Sequence, residues 1–448
     1  MNQKSGLSQE ALQTSLSRRG FLVIGAGGTA AFLAGCGGGQ GVGDTNTDAG
    51  GEFSGEYTGP AITLAYWNGF TGGDGPAMTA MVKDFNGQAE KITAEPNTMD
   101  WPTFYQRLPA ASQAGKGPDV VAMHIDQLAT MAVRKVLAPL DDVAEQIGLA
   151  ETDFTGPVWA PAIYNDQRYG IPLDVHCLAM YWNQDHFEKA GIAEAPTDAE
   201  GLDEACKKLQ EAGYSEPMWM PNLWPAHIMF LSLLWQFGGE PYAEDGSEAT
   251  FGSEAGVSAL TWMREQIDNG YSPATVDADA QYLQFKNGKN SITWDGIWQI
   301  NDLQASGMNW GIAPLPTIGD TPASWASSHQ FAMTSQAADD ENRSNASKEF
   351  ISWMSDQSAA WAEAGMIPAR NSAREQKAFT DSPQAALNDY LDNLHFLPPI
   401  PGLGDVTVQT MEVAVNAAML GKSSPEDALS EAQDNATQLM QENQEKFG

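Results

Sequence analysis

Several tryptophans of this sequence stand beside polar residues in segments that predict loops. The chain has 14 tryptophans in 448 residues, and an indole face can stack on the C–H face of a pyranose ring while Asn, Asp or His side chains bond its hydroxyls. Four tryptophans stand in such surroundings: Trp67 before Asn68, Trp224 between Leu223 and Pro225, Trp298 shortly after Asp295, and Trp325 among serines. The pattern predicts a surface suited to a sugar ring, with core packing as the alternative for any one of them.

Other tryptophans lie on apolar helix or strand patterns, where packing in the core is the expected role. These are Trp182, Trp235, Trp262, Trp353 and Trp361.

No motif of a common catalytic or metal site occurs in the sequence. His-Glu-x-x-His, Cys-x-x-Cys, Gly-x-Ser-x-Gly and the Walker loop are all absent. The six histidines show no metal-ligand spacing, so we expect no metal and no cofactor. Two distant carboxylates suffice for glycoside hydrolysis, but with 58 acidic residues any chosen pair is arbitrary.

Candidate residues also cluster by their position after predicted strands. In open α/β sheets, ligands bind beyond the carboxyl ends of the strands. The residues placed there are Trp67, Asn68, His124, Asp126, Asp295 and Trp298. Taken alone, His124 would be an ordinary loop residue and Asp126 a helix N-cap.

Alternating strand and helix patterns predict parallel α/β layering. Strands are expected at 61–66, 92–95, 118–123, 289–294, 310–314 and 330–334. Helices are expected at 77–89, 101–113, 127–136, 198–212, 226–237, 255–269, 344–355, 358–364, 383–394, 406–420 and 425–445. Residues 169–182 read as extended, and Pro172 restricts Ile171 to extended geometry, so this segment predicts a crossing between lobes.

The N-terminus predicts an export signal with a lipid-attachment cysteine. Arg18 and Arg19 precede a short apolar stretch, and small residues precede Cys36. This order predicts a twin-arginine signal peptide over residues 1–35 and lipidation of Cys36, with an uncleaved anchor helix as the alternative. Residues 36–59 are Gly-, Asp- and Thr-rich, which predicts a flexible tether. The mature chain would then be anchored to the outside of the cell membrane.

Charge and cysteine content exclude further classes of function. The chain has 58 acidic and 23 basic residues, a formal charge of -35, which excludes a nucleic-acid partner because phosphates require basic surface. After the signal, no segment approaches about 20 uninterrupted apolar residues, the length of a membrane-spanning helix. Cys177 and Cys206 could form a bridge, but we expect two buried free thiols.

Several segments resemble the substrate-binding lipoproteins of carbohydrate ABC importers, the maltose-binding-protein-like group of extracellular solute-binding proteins. The matching segments follow one another through the mature chain: Ile62 to Asn68, Gly117 to Val121, Leu137-Ala138-Pro139-Leu140-Asp141, Tyr169 to Asp174, Tyr181 to Asn183, Phe187 to Ile192, Gly288 to Trp298, Gly311 to Pro316, Ala346 to Ser355 and Gly365 to Arg370. Each motif is loose, but their order spans nearly 400 residues.

The resemblance implies a periplasmic-binding-protein type II fold, in which two α/β lobes are joined by a multi-segment hinge. It places crossings near Asp174, Ser327 and Gly365, with lobe one at 60–174 and 327–364 and lobe two at 175–326 and 365–448. The ligand-binding residues it implies are Trp67, Asn68, Asp126, Asp174, His176, Trp224, Asp295, Trp298, Trp325 and Arg370.

These observations predict a monomeric, lipid-anchored receptor that closes on a mono- or oligosaccharide and delivers it to the permease subunits of an ABC importer. No bond of the ligand would change. An exported carbohydrate-active enzyme, a glycosidase or lyase, is the alternative, since it shares the aromatic cleft and the acidic residues. A structural surface lipoprotein would leave the loop tryptophans unexplained.

Overall fold

The computed structural model describes residues 55–154 and 158–447. The predicted signal peptide, Cys36 and most of the predicted tether lie outside this part of the chain. Within it, no helix has both the length and the apolar character needed to cross a membrane. Tyr57, which falls in the predicted tether, is buried, and its hydroxyl donates to the carbonyl oxygen of Pro60 at 2.7 Å. Packed structure therefore begins before Ala61.

Strands and helices alternate over residues 62–146, four strands then follow one another over residues 163–183, and helices dominate the end of the described chain. The strands are β1 (Ile62–Asn68), β2 (Ile92–Thr98), β3 (Val120–His124), β4 (Leu137–Ala138), β5 (Ile163–Tyr164), β6 (Gln167–Arg168), β7 (Ile171–Pro172), β8 (Asp174–Asn183), β9 (Ile292–Gly296), β10 (Trp310–Ala313), β11 (Ser324–Ser327), β12 (His329–Thr334), β13 (Ile367–Pro368) and β14 (Leu394–His395). The α-helices are α1 (Gly75–Gln88), α2 (Trp101–Gln113), α3 (Ile125–Val133), α4 (Asp141–Gln146), α5 (Gln184–Lys189), α6 (Ala199–Glu211), α7 (Ala226–Gln236), α8 (Glu254–Asp268), α9 (Ala280–Lys286), α10 (Ile300–Ser306), α11 (Ser335–Ala338), α12 (Glu341–Asp356), α13 (Asn371–Arg374), α14 (Lys377–Thr380), α15 (Leu403–Gln409), α16 (Met411–Met419) and α17 (Pro425–Phe447). The 3-10 helices are Glu151–Asp153, Ala160–Ala162, Ile297–Gln299, Ala360–Ala364 and Pro383–Asn393.

The first large sheet has the strand order β2-β1-β3-β12-β4, and β7 also pairs with β12. Strands β1, β2 and β3 are parallel, so β1 and β3 end at the same edge. Strand β12 runs antiparallel to β3 and begins at that edge, with His329 opposite His124. The register therefore brings residues from distant parts of the chain to the carboxyl ends of the parallel strands.

The second large sheet is built on β8. Strands β9, β10, β11 and β13 pair antiparallel with it, and β14 runs parallel to β11. Successive side chains of β8 point to opposite faces, so Cys177, Ala179 and Tyr181 join one hydrophobic core while Leu178 and Met180 join the other. Both faces of this sheet are thus buried, which explains the apolar run in its sequence.

The chain passes between the two sheets at three places. Leu173 separates β7 from β8, and Ser328 separates β11 from β12. The third passage lies between the 3-10 helix Ala360–Ala364, which packs on α1, and β13, which pairs with β8. The fold is the expected one, two α/β lobes joined by several segments; the residue bounds given for each lobe stay a prediction.

Local patterns predicted most elements but not all. Strand β11 has the sequence Ser-Trp-Ala-Ser, which predicts a loop, and it becomes a strand by pairing Ala326 with Cys177 of β8. The helix expected at 406–420 is divided at Thr410 into α15 and α16, and Pro383–Asn393 is a 3-10 helix. Cys177 and Cys206 are buried free thiols, as predicted.

Candidate functional site

Aromatic rings from several segments meet where the two sheets join. We call this set the junction cluster; its members are Phe70, Trp101, Tyr105, His124, His176, Trp224, Trp298, Trp325, His329 and Trp361, each in ring contact with another member. Phe70 follows β1, His124 ends β3, Trp298 follows β9 and His329 begins β12, so the strand ends bring these rings together.

Three indoles form one side of the junction cluster. The rings of Trp224 and Trp298 are nearly parallel, 25° apart with centroids separated by 6.1 Å, and Trp325 lies edge-on to Trp298 at 6.4 Å. Trp224 is 40% exposed, and the other two are half-buried. A Cβ on Gly296 would lie 2.1 Å from the Trp298 ring. Glycine at this position therefore leaves room for the Trp298 indole to lie against the backbone of Gly296. Exposed and half-buried indole faces are what a sugar ring stacks on.

Three histidines form the other side of the cluster. His124 ends β3, His176 lies in β8 and His329 begins β12. The imidazoles of His176 and His329 are stacked with centroids 4.3 Å apart, and His124 lies 4.8 Å from His329. His176 also lies 6.0 Å from Trp298 and 5.8 Å from Trp325, which joins the two sides.

Asp174 holds two of the histidines. Its Oδ1 faces Nδ1 of His176 at 3.2 Å, and its Oδ2 faces Nδ1 of His329 at 2.7 Å. The backbone N–H of His329 and the indole N–H of Trp361 also donate to this carboxylate, at 2.9 and 2.6 Å. Burial by itself raises the pKa of Asp174, but the imidazoles facing its oxygens outweigh burial and hold that pKa below its usual range. Asp174 is therefore a buried carboxylate that orients other groups.

The third histidine has its own partner. Nδ1 of His124 lies 2.7 Å from the Tyr105 hydroxyl, which also accepts from the backbone N–H of His124 at 2.9 Å. Burial, followed by the neighbouring His329 and His176, lowers the pKa of His124 well below its usual value. This lowered pKa favours the uncharged imidazole of His124.

Two polar residues near the ends of β1 and β3 are part of the same edge. Asn68 is buried; its Oδ1 accepts from the Thr98 hydroxyl at 3.0 Å and its Nδ2 has no partner among the described residues. Asp126 lies in the first turn of α3 and accepts from Gln127 at 2.9 Å. Burial raises the pKa of Asp126. Burial, followed by the charge of the nearby Asp126, raises the pKa of Tyr105 well above its usual value.

Other predicted site residues have their partners elsewhere. Asp295 is fully buried in β9 and accepts from the Gly296 N–H at 2.7 Å and from Gln281 at 2.9 Å. Arg370 forms an ion pair with Asp356 at 3.0 Å and donates to Ser355 at 2.7 Å. Trp67 is half-buried against the first core. The structure thus gathers Asp174, His176, Trp224, Trp298 and Trp325 in one place, and the ligand-binding role of all ten residues stays a prediction.

The family of this chain follows from its sequence and agrees with the fold. The family described as bacterial extracellular solute-binding protein matches residues 80–387. The chain belongs to this family. Its fold is that of the maltose-binding-protein-like group, as the resemblance in the sequence implied.

Relatives of this solute-binding protein are distant in sequence and similar over most of their length. A binding protein of Brucella abortus is 23% identical over 402 residues, covering 85% of this chain and 92% of the relative. A maltooligosaccharide ABC transporter solute-binding lipoprotein of Streptococcus pneumoniae is 23% identical over 354 residues, covering 76% and 80%. The GacH receptor of Streptomyces glaucescens, solved unliganded and with acarbose, superposes with a TM-score of 0.76 at 21% identity, covering 86% of this chain and 99% of the receptor.

Six of the ten residues in the junction cluster of this solute-binding protein lie outside the predicted set of ligand-binding residues: Phe70, Trp101, Tyr105, His124, His329 and Trp361. Trp101 and Tyr105 lie in a predicted helix, and Trp361 lies on an apolar pattern that predicts packing in the core, where it is fully buried. His329 directly precedes the strand predicted at 330–334, and His124 is a candidate only by its position after a predicted strand. Their position at strand ends was the one available signal, and it does not distinguish a ligand contact from a capping or packing residue.

Proposed function

We propose that this chain is an extracytoplasmic receptor that binds a carbohydrate between its lobes and changes no bond of it. The observation that carries the proposal is the meeting of Trp224, Trp298 and Trp325, from three separate segments, where the two lobes join. Indole faces supply apolar burial against the C–H face of a sugar, and adjacent imidazole, amide and carboxylate groups supply hydrogen bonds to its hydroxyls. The maltooligosaccharide and acarbose receptors among its relatives support this ligand class.

Closure of the two lobes is the proposed means of capture. The three passages between the sheets form a hinge of few residues, about which the lobes can rotate. A sugar that touches both lobes favours the closed form by its extra contacts there. The residue bounds of the lobes follow the proposal made from the sequence, 60–174 with 327–364 and 175–326 with 365–448.

Anchoring at Cys36 and delivery to the permease subunits of an ABC importer complete the proposal. The tether of residues 36–59 would hold a monomeric receptor near the permease and raise its effective concentration there. The lipoprotein name of the pneumococcal relative supports the anchor. Cys36→Ser should release an exported protein from the membrane fraction, and retention of that variant on membranes would contradict lipidation.

Calorimetry with a panel of mono- and oligosaccharides tests the binding proposal directly. At least one sugar should bind, and Trp224→Ala should lose most of that affinity because its indole is the exposed one. Trp262→Ala is the matched control, since its indole stacks on Trp294 at 5.4 Å, outside the junction cluster. Equal loss in both variants, or no sugar bound by the wild type, contradicts the proposal.

The same panel separates a receptor from an exported carbohydrate-active enzyme. A receptor has a higher melting temperature in the presence of its sugar, and the sugar is recovered chemically unchanged after incubation. Shorter sugars or unsaturated products after incubation, detected by mass spectrometry, would instead establish a glycosidase or lyase.

A further inference from the structure

We propose that His124, His176 and His329 form a binding site for a transition-metal cation of the zinc class at the junction of the two lobes. One ring nitrogen from each imidazole lies within 4.8 Å of the corresponding atoms of the other two. Zinc sites place each ligand nitrogen roughly 2 Å from the metal, so the three rings must move closer together than they lie here when the cation binds. The proposal rests on the positions of the three imidazoles and requires no bound carbohydrate.

Strand pairing fixes where these imidazoles lie. His329 and His124 are paired in the register of β12 and β3, and His176 is paired with Ser327 in the register of β8 and β11. All three histidines thus lie in paired strands of the two sheets. Strands hold the side chains of a site in more precise positions than loops do. The sequence shows no such site, since the three histidines are far apart along the chain.

Each imidazole has its Nδ1 taken by an oxygen. Tyr105 faces Nδ1 of His124 at 2.7 Å, and Asp174 faces Nδ1 of His176 at 3.2 Å and of His329 at 2.7 Å. Within the described part of the chain, no hydrogen bond involves Nε2 of any of the three. Metal-binding histidines usually donate one ring N–H to a carboxylate or another oxygen, which sets the tautomer and leaves the second nitrogen for the metal.

The chemistry of the ligand set selects the class of cation. Three imidazole nitrogens suit Zn²⁺, Co²⁺, Ni²⁺ or Cu²⁺, whereas Ca²⁺ and Mg²⁺ require oxygen ligands. Three protein ligands also leave a fourth coordination position for water or another small ligand. Rings of Phe70 and Trp101 pack against His329 at 4.7 and 5.4 Å, which limits solvent around the site.

The position of the site has a consequence for the molecule. His124 and His329 belong to the first sheet, whereas His176 belongs to the second. A cation held by all three therefore connects the lobes at their hinge and stabilises the arrangement in which the three rings meet. A metal at this place restricts rotation of one lobe against the other.

Calorimetry and Co²⁺ absorption on chelator-treated, untagged protein test the proposal without any sugar. One equivalent of Zn²⁺ should bind, and Co²⁺ should give the visible absorption of a low-coordinate site that Zn²⁺ removes. His124→Gln should weaken Zn²⁺ binding by at least about 100-fold, and Asp174→Asn by roughly 10- to 100-fold through lost orientation. Ca²⁺ and Mg²⁺ controls account for weak binding by the many surface carboxylates.

The matched control is a variant of histidines outside the cluster. His186 bonds Ser291 at 3.0 Å and His395 stacks on Trp235, so His186→Gln with His395→Gln should leave Zn²⁺ affinity unchanged. Absence of Zn²⁺ and Co²⁺ binding by the wild type overturns the proposal, as does unchanged affinity in His124→Gln. Should His124→Gln fail to fold, Co²⁺ spectra of the wild type decide, because absorption typical of oxygen ligands alone overturns the site.

Discussion

Trp298 and Trp353 are both half-buried, but their rings have different neighbours. Trp298 lies among Trp224, Trp325 and His176, whereas Trp353 packs on Phe85 at 5.4 Å within the first core. We expect Trp298→Ala to weaken sugar binding by about 1 to 3 kcal/mol, roughly 10- to 100-fold. We expect Trp353→Ala to lower the free energy of unfolding by about 3 kcal/mol through its cavity, with affinity nearly unchanged.

Calorimetry and urea unfolding of both variants separate the two roles. A Trp298→Ala protein that is unstable yet binds sugar normally would remove this residue from the site while leaving the family of the chain unaffected.

Asp295 predicts a pH dependence of stability. Its carboxyl is fully buried, and burial raises its pKa to about 7. Because the folded protein keeps a proton that the unfolded chain releases above about pH 4, this group contributes stability at low pH that is lost as pH rises through about 7. The contribution is roughly 4 kcal/mol at most, from about 1.4 kcal/mol per pKa unit.

Asp295→Asn isolates that contribution from the repulsion among the other acidic groups. Urea unfolding from pH 4.5 to 8 should show a steeper loss of stability in the wild type than in the variant. Parallel curves would show that Asp295 has the same pKa in the folded and unfolded chain.

The third passage between the lobes depends on a glycine. Gly365 ends the 3-10 helix Ala360–Ala364 with φ of 86°, and a Cβ there would lie 2.9 Å from the carbonyl oxygen of Ile297. Gly307 ends α10 with φ of 74°, and a Cβ there would have nothing within 4 Å. A left-handed non-glycine residue costs about 1 to 2 kcal/mol, which is the expected loss for Gly307→Ala.

Gly365→Ala should lower the free energy of unfolding more than Gly307→Ala. Both variants have the same backbone penalty, and Gly365→Ala adds a close contact with the carbonyl oxygen of Ile297. Urea unfolding of the two variants measures the difference. Equal losses would mean that the chain shifts at Gly365 without cost, and that the passage tolerates a side chain.

Closure of the whole molecule on its ligand should be visible in solution. A sugar that binds should reduce the radius of gyration in small-angle scattering and raise the melting temperature, because the ligand favours the form in which both lobes contact it. Trp224→Ala should show neither change at the same sugar concentration. Tight binding with an unchanged radius would indicate a rigid cleft rather than a hinge.

Much of the fold could be read from local patterns. Helix α2 begins and ends at the predicted residues, Trp101 and Gln113, and β1 and β3 lie where short apolar runs predicted strands. Periodicity of apolar residues reports on neighbouring residues only, which is why these elements were recognised. The same reasoning missed β11, whose sequence Ser-Trp-Ala-Ser has no pattern and whose strand geometry comes from pairing with β8.

The sequence by itself determined the class of the molecule: an α/β chain of the solute-binding family, with loop tryptophans able to meet a sugar. Only the tertiary structure decided which of these side chains meet. Trp224, Trp298 and Trp325 come together, and Asp295 accepts hydrogen bonds from Gln281 and Gly296. Three histidines without common spacing also meet, and one carboxylate, Asp174, contacts two of them. The reason is that long-range contacts set these positions, and no local pattern contains them. For the histidines, β12 enters the first sheet antiparallel beside β3, in a register that sets His329 opposite His124.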